Sequence, residues 1–284
     1  MSGADEVDPR RAFWRRGSYE IVGDWIRPAS LSVLDRLVEA TGRPLEGARL
    51  LDLATGTGAV AIEAARGGAT VVGVDLTDEL VEVARHRASS AGVDGQFVVG
   101  DFDRLDNALS GTPFAEGQVE VMTSAFGLIF APDPAATLAH LEPRLADDGA
   151  IAVAGWDPDG VFVVPESLLE LLPERPRMPD MGAWTSGAAT LCERTPFEVV
   201  SLTTDQLLIP FASVADAAEQ LERWSGGWAQ LFDGFDALAV GDDARQRFAD
   251  HLAAFSTSTD DGIELRATYH VSVLRRTNPG VDGG

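Results

Sequence analysis

The sequence predicts an α/β fold: a doubly wound sheet of seven strands, mostly parallel with an antiparallel closing strand, carrying a helical cap and lid. Three observations support this. Short apolar runs alternate with helical patterns from Arg49 to Gly155, the rhythm of successive βα units. The first run, "RLLDL", opens directly into the glycine turn "ATGTG", as a strand entering a helix through a tight turn does. Two β-rich runs near the end, "FEVVSLTTDQLLIPF" and "IELRATYHVSVLRR", supply strands that close the same sheet. In such sheets ligands bind beyond the carboxyl ends of the strands.

The elements follow in order. "RRAFWRRGSYEIVGDW" and "SLSVLDRLVEATG" read as two helices, the second with Leu31, Leu34, Leu37 and Val38 on one face. Strands are expected at Arg49–Leu53, Thr70–Val74, Gln96–Gly100, Val119–Ser124 and Ala150–Gly155, with helices over 58–66, 78–91 and 133–146. The second of these helices is the clearest. Thr77 suits its cap, Asp78 and Glu79 suit the positive end of its dipole, and Leu80, Val83, Ala84, Arg87, Ala88 and Ala91 keep a helical period. From Asp157 to Pro196 the chain is dense in proline, which predicts an insertion with one short helix around Pro165–Leu172. Helices near 213–224 and 240–255 separate the two closing strands. The division expected is a helical cap over 1–45, a Rossmann-like core over 46–156, a lid over 157–196, and closing strands with inserted helices over 197–284 in the same domain, with separate folding of the final third as the alternative. The terminal stretches "MSGADEVDPR" and "TNPGVDGG" are expected to fray.

Composition narrows the function. A hydrophobic fraction of 45% over 284 residues gives enough apolar surface for a sizeable core. The net charge of −23 opposes nucleic acid, which needs clustered basic groups. All 22 basic residues are arginine, so no lysine nucleophile or Schiff base exists. Cys192 is the one cysteine, which excludes an intramolecular disulfide and any paired-thiol metal or redox motif. With no signal segment and no long uncharged run, a reducing cytoplasm is the expected location.

Three acids carry the chemistry. Asp52 sits four residues before Gly56, inside an apolar strand, where its charge would oppose the diphosphate of a dinucleotide resting on the following helix. Asp75 ends the second strand, the position from which a carboxylate holds a ribose diol. Asp101 ends the third beside Phe102, suited to an adenine amino group and ring face. The glycine turn holds no arginine for a phosphate. This describes a phosphate-free nucleoside with a cationic end, conditions that S-adenosylmethionine meets and a nicotinamide dinucleotide does not.

At this point "LLDLATGTG", "VVGVDLTDELVEVAR", "VVGDFDRL" and "SAFGLIFAPDPAATLAHLEPRLADDGAIAVAGW" resemble the successive motifs of class I S-adenosylmethionine-dependent methyltransferases, in the small-molecule branch related to ubiquinone and menaquinone biosynthesis. The resemblance covers about residues 48–156. It implies that Asp52, Gly56 and Gly58 surround the methionine part, that Asp75 holds the ribose hydroxyls, and that Asp101 and Phe102 flank the adenine. Ala54, Thr55 and Leu76 join that set by the same resemblance. Ser124, Ala125 and Phe126 would edge the methyl-donor pocket, and Tyr19 would close over the methionine carboxylate. The sequence departs from the family pattern at Glu120, at His140, at Pro143 and at "ADDGA" before the fifth strand.

Acceptor and base are less defined. His86, His140, His251 and His270 are each weighed as a general base and none is assigned; no metal is expected. A sulfonium methyl is already activated, so alignment and water exclusion carry much of the catalysis. Trp14, Trp184, Trp224 and Trp228 are candidates to line an acceptor pocket, with packing in the lid as the alternative. Arg175 or Arg177 could meet an acidic acceptor, with solvent as the alternative partner. The expected reaction is methylation of a small hydrophobic or aromatic metabolite in specialised metabolism, at oxygen first, then carbon, then nitrogen, releasing S-adenosylhomocysteine. A cyclising enzyme on the same fold and a non-catalytic cofactor-binding module remain alternatives, and a homodimer is left open.

Overall fold

The computed structural model describes residues 9–193 and 195–277. Of the ends expected to fray, residues 1–8 and 278–284 lie outside the described residues. Helices α1 (Pro9–Arg15) and α2 (Tyr19–Thr41) lead into β1 (Arg49–Leu53), α3 (Ala59–Arg66), β2 (Thr70–Asp75), α4 (Asp78–Ala91) and β3 (Gly95–Val99). Next come α5 (Leu105–Ala108), β4 (Val119–Ala125), α6 (Pro134–Leu141) and β5 (Leu145–Trp156), then α7 (Glu166–Leu169) and α8 (Ala188–Cys192). The last are β6 (Phe197–Phe211), α9 (Val214–Trp224), α10 (Gly226–Ala237), α11 (Gly241–Ala254), β7 (Ser256–Thr259) and β8 (Gly262–Arg276).

The strands form one sheet in the order β3-β2-β1-β4-β5-β8-β6. Strands β1 to β5 pair in parallel, and β8 runs antiparallel to β5. The seven expected strands are present, and the short β7 adds an eighth by pairing with β8. Chain order reverses between β1 and β4, which places a ligand crevice at the carboxyl ends of those strands.

The chain separates into two compact units. The sheet unit comprises Ile26–Gly160, Met178–Leu207 and the chain from Thr268. Its core is built from Leu51, Leu53, Val72, Val74, Met122, Ile151 and Val153, buried on successive strands among Leu128, Leu138, Trp184 and Leu274. Near-continuous apolar strands are what a parallel sheet covered on both faces requires. Each such leucine or isoleucine contributes about 1.5–3 kcal/mol by burial.

The helical unit comprises the chain up to Trp25, Val161–Arg177 and Leu208–Ala267. Trp228, Phe232, Phe235 and Phe248 form its aromatic centre, with the Trp228 and Phe248 rings 4.3 Å apart. Arg245 ties α9 to α10 through hydrogen bonds to Glu222 and Asp236.

Several element boundaries differ from expectation. α2 is a single helix through Pro28, where a break was expected. Burial of Val33, Leu34 and Leu37 offsets the roughly 3 kcal/mol cost of an internal proline. The break falls instead at Gly17, where a Cβ would lie 2.6 Å from both the Trp224 carbonyl and the Gly226 nitrogen. Gly226 and Gly227 begin α10. A Cβ on Gly226 would lie 2.9 Å from the Phe13 carbonyl, so this glycine permits a close chain crossing. The helix expected over 133–146 ends at Leu141, because Pro143 cannot continue it. β5 therefore starts at Leu145, with an irregular register against β4 between Val119 and Val121.

Candidate active site

The site is built on the turn after β1. Strand register sets Asp52 between Gly73 of β2 and Thr123 of β4. The carboxylate is 1% exposed and accepts hydrogen bonds from Thr55 Oγ1 at 2.6 Å and Thr123 Oγ1 at 2.7 Å. The Ala61 amide in the first turn of α3 also donates to it. Burial pushes its pKa up to about 6 against the pull of these donors, and the charge of Asp75 adds to the rise.

Asp75 holds the other side of the turn. Its Oδ2 accepts the Gly56 N–H at 2.8 Å and its Oδ1 the Thr77 N–H at 2.9 Å. Burial raises its pKa, opposed by these same amides.

The turn is conformationally demanding. Ala54, Gly56 and Gly58 have positive φ, at 52°, 54° and 82°. Gly58 further requires the absence of a side chain, since a Cβ would meet Ala84 and Phe97 at 3.0 Å. The turn after β4 mirrors it: Phe126 has φ 61°, and its N–H donates to the Ala154 carbonyl. Its ring stacks on Trp156 at 3.9 Å and meets Tyr269 edge-on. The two turns touch where a Cβ on Gly127 would lie 2.3 Å from that of Ala54.

Of the residues singled out from sequence, Thr55 bonds to Asp52 and the neighbouring Gly56 to Asp75, so one turn engages both carboxylates. Leu76 is half-buried beside it. Asp101 follows β3, which is tied to β2 by the bond from the Gly100 N–H to the Asp75 carbonyl. Its carboxylate accepts the Asp103 N–H at 3.0 Å, and Phe102 packs against the core, half-buried. Ser124 is fully buried. Its hydroxyl donates to the Leu53 carbonyl and accepts from the Leu128 N–H, so it fastens the two turns. Ala125 is half-buried at the end of β4.

Other expected positions are engaged elsewhere. The Tyr19 hydroxyl accepts from the Gly226 and Gly227 amides at the start of α10, and burial pushes its pKa up. Trp184 is fully enclosed in the sheet unit's core, which leaves it no surface to offer an acceptor. Trp228 is buried in the aromatic centre of the helical unit, for the same reason. Trp14 meets Phe13 and Tyr19 edge-on, and Trp224 lies under the Arg223 guanidinium. In the expected lid, Arg175 pairs with Glu166. Thr123 and Gly127 were missed; a buried aspartate demanding donors was the only signal toward Thr123.

No described helix is long and apolar enough to cross a membrane. Among the described residues no His, Cys, Asp and Glu cluster suits a metal.

A doubly wound sheet whose glycine turn lies between two buried carboxylates has the build of a nucleoside-binding α/β protein. Residues 50–149 match the family model described as a methyltransferase domain. The nocamycin O-methyltransferase of Saccharothrix syringae is 30% identical over 283 residues, covering 91% of this chain and 94% of that protein. An uncharacterised protein of Mycobacterium tuberculosis is 32% identical over 152 residues, 54% of this chain and 52% of its own length; the chain thus spans about half of that relative. In fold, the chain is similar to phosphoethanolamine N-methyltransferase 2 of Haemonchus contortus, solved with S-adenosylhomocysteine, at TM-score 0.57 and 18% identity over 96% of this chain and 61% of that one. The chain belongs to the S-adenosylmethionine-dependent methyltransferases.

Proposed function

We propose that this protein binds S-adenosylmethionine at the turn after β1 and moves its methyl group to a small hydrophobic or aromatic metabolite, with oxygen the favoured acceptor atom, then carbon, then nitrogen. The observation that carries the reading is the pair of buried carboxylates on one glycine turn. Two anions there disfavour a diphosphate and favour a cationic ligand. The whole-length similarity to an enzyme named as an O-methyltransferase supports oxygen.

When bound, the cofactor supplies an electrophilic methyl on a sulfonium. Asp75 and Leu76 would hold the ribose, and Asp101 with Phe102 the adenine. Asp52, with both oxygens already hydrogen-bonded, would act through its charge on the ammonium and sulfonium. Ala54 to Gly58 would supply close backbone approach, and Ala125 with Phe126 would edge the methyl side. Tyr19 stays in the proposed cofactor set as the cover of the methionine carboxylate. The buried Trp184 and Trp228 are withdrawn from the acceptor set, while Trp14 and Trp224 stay in it.

The test is a product-mass screen with methyl-labelled S-adenosylmethionine against phenols, enols and amines. A labelled product heavier than the acceptor by one methyl group is expected. Product of unchanged mass would favour a cyclisation. Label that never leaves the donor across the whole panel would argue for a binding module instead.

A further inference from the structure

A second hydrogen-bonded array lies in the sheet unit, across β8, β6 and the end of β5. His270 of β8 pairs across the sheet with Gly155 of β5 and is 9% exposed. Its Nε2 lies 2.9 Å from Asp157 Oδ2, just beyond β5, and its Nδ1 lies 2.9 Å from Thr204 Oγ1 on β6. A carboxylate only accepts, so in the neutral ring it fixes the proton on Nε2. Nδ1 is then a lone pair accepting from the Thr204 hydroxyl. The Asp157 carboxylate is itself steadied by the Asp159 N–H at 2.9 Å.

Thr204 lies on β6, His270 on β8 and Asp157 just after β5, so local sequence does not produce the arrangement. Its members have the relation of nucleophile, base and orienting acid, with His270 within hydrogen-bond reach of both of the others. The hydroxyl end is the accessible one: Thr204 is exposed on β6, which ends the main order of strands. Leu202, 47% exposed, and Gln206, also exposed, are two residues away on either side and share its face.

We propose that Thr204 is an activated hydroxyl that takes an acyl group from a thioester or an aryl ester. Thr204 Oγ1 attacks the acyl carbon while its proton passes to His270 Nδ1. The bond from the acyl carbon to sulfur or aryl oxygen breaks, and its electron pair leaves with the thiolate or phenolate. Asp157 stabilises the imidazolium, which returns its proton to the leaving group or to solvent. Leu202 gives the acyl chain an apolar rest, and the Gln206 amide offers a donor to the carbonyl oxygen. The product is an ester on Thr204. This activity stands independently of methyl transfer.

The experiment uses the full chain with p-nitrophenyl acetate, following nitrophenolate release, intact mass and the acetylated position by peptide mapping. The absence of lysine removes the usual competing amines along the chain. One acetyl group on Thr204 is expected, absent in Thr204→Val and restored in Thr204→Ser. His270→Gln should slow acylation at least about 100-fold, and Asp157→Asn should slow it about 10-fold while leaving the modified position unchanged. Calorimetric binding of S-adenosylhomocysteine, a separate check on folding, should stay within about twofold of the parent in the Thr204 variants. Acetyl found only at other positions would overturn the proposal, whether or not His270→Gln folds. So would Thr204 acylation at an equal rate in a folded His270→Gln variant.

Discussion

The turns after β1 and after β4 are alike in shape and opposite in construction. Each carries a non-glycine residue with positive φ, Ala54 in one and Phe126 in the other. The first is held by polar atoms, through Asp52, Asp75 and the donors around them. The second is held by packing, with Phe126 stacked on Trp156 and Gly127 against Ala54. A buried carboxylate network fixes backbone donors where a ligand's hydroxyls and charges must be met. Aromatic packing instead leaves an apolar surface beside it.

Breaking the polar turn should have the largest effect. Asp75→Ala leaves the Gly56 and Thr77 amides without their acceptor. Each unsatisfied buried group costs about 1–3 kcal/mol, so a loss of about 4 kcal/mol is expected in denaturant titration. Asp52 gives a pH signature. Its folded pKa is raised from 3.8 to about 6 by burial, so the stability it contributes is present below pH 3.8 and lost as pH rises through about 6. Relative to Asp52→Asn, the parent should therefore lose up to about 3 kcal/mol between pH 4 and 7. Denaturation of both proteins across that range checks it.

The packed turn should respond to volume rather than to pH. Gly127→Ala forces a Cβ against Ala54, and overpacking of this kind costs about 1–3 kcal/mol; the midpoint should fall equally at pH 5 and pH 8. The smallest change sharpens the contrast. Thr123→Val removes one donor from Asp52 for about 1–2 kcal/mol and should push the Asp52 titration still higher, followed by carboxyl NMR.

The same contrast explains what could be read in the sequence. β1, β2, β3 and α4 match expectation to within a residue or so, because glycine turns, caps and apolar runs are local signals. The places of Asp52, Asp75 and the glycines at strand ends and in the turn were legible for the same reason. Thr123 was not, since it reaches Asp52 through a strand pairing 71 residues apart. Proline misled where distant atoms decided, with Pro28 lying inside α2. Tryptophans looked like pocket walls because size suits both roles, and burial assigned Trp184 and Trp228 to packing.

The most direct measurement is calorimetric titration with S-adenosylmethionine, S-adenosylhomocysteine and NADH, on the parent chain and on Asp75→Ala. Binding of both sulfur nucleosides and not of NADH, lost by at least about 100-fold in the variant, is the predicted result. No binding of either sulfur nucleoside to the folded parent would contradict the assignment of the carboxylate-clasped turn as the cofactor site.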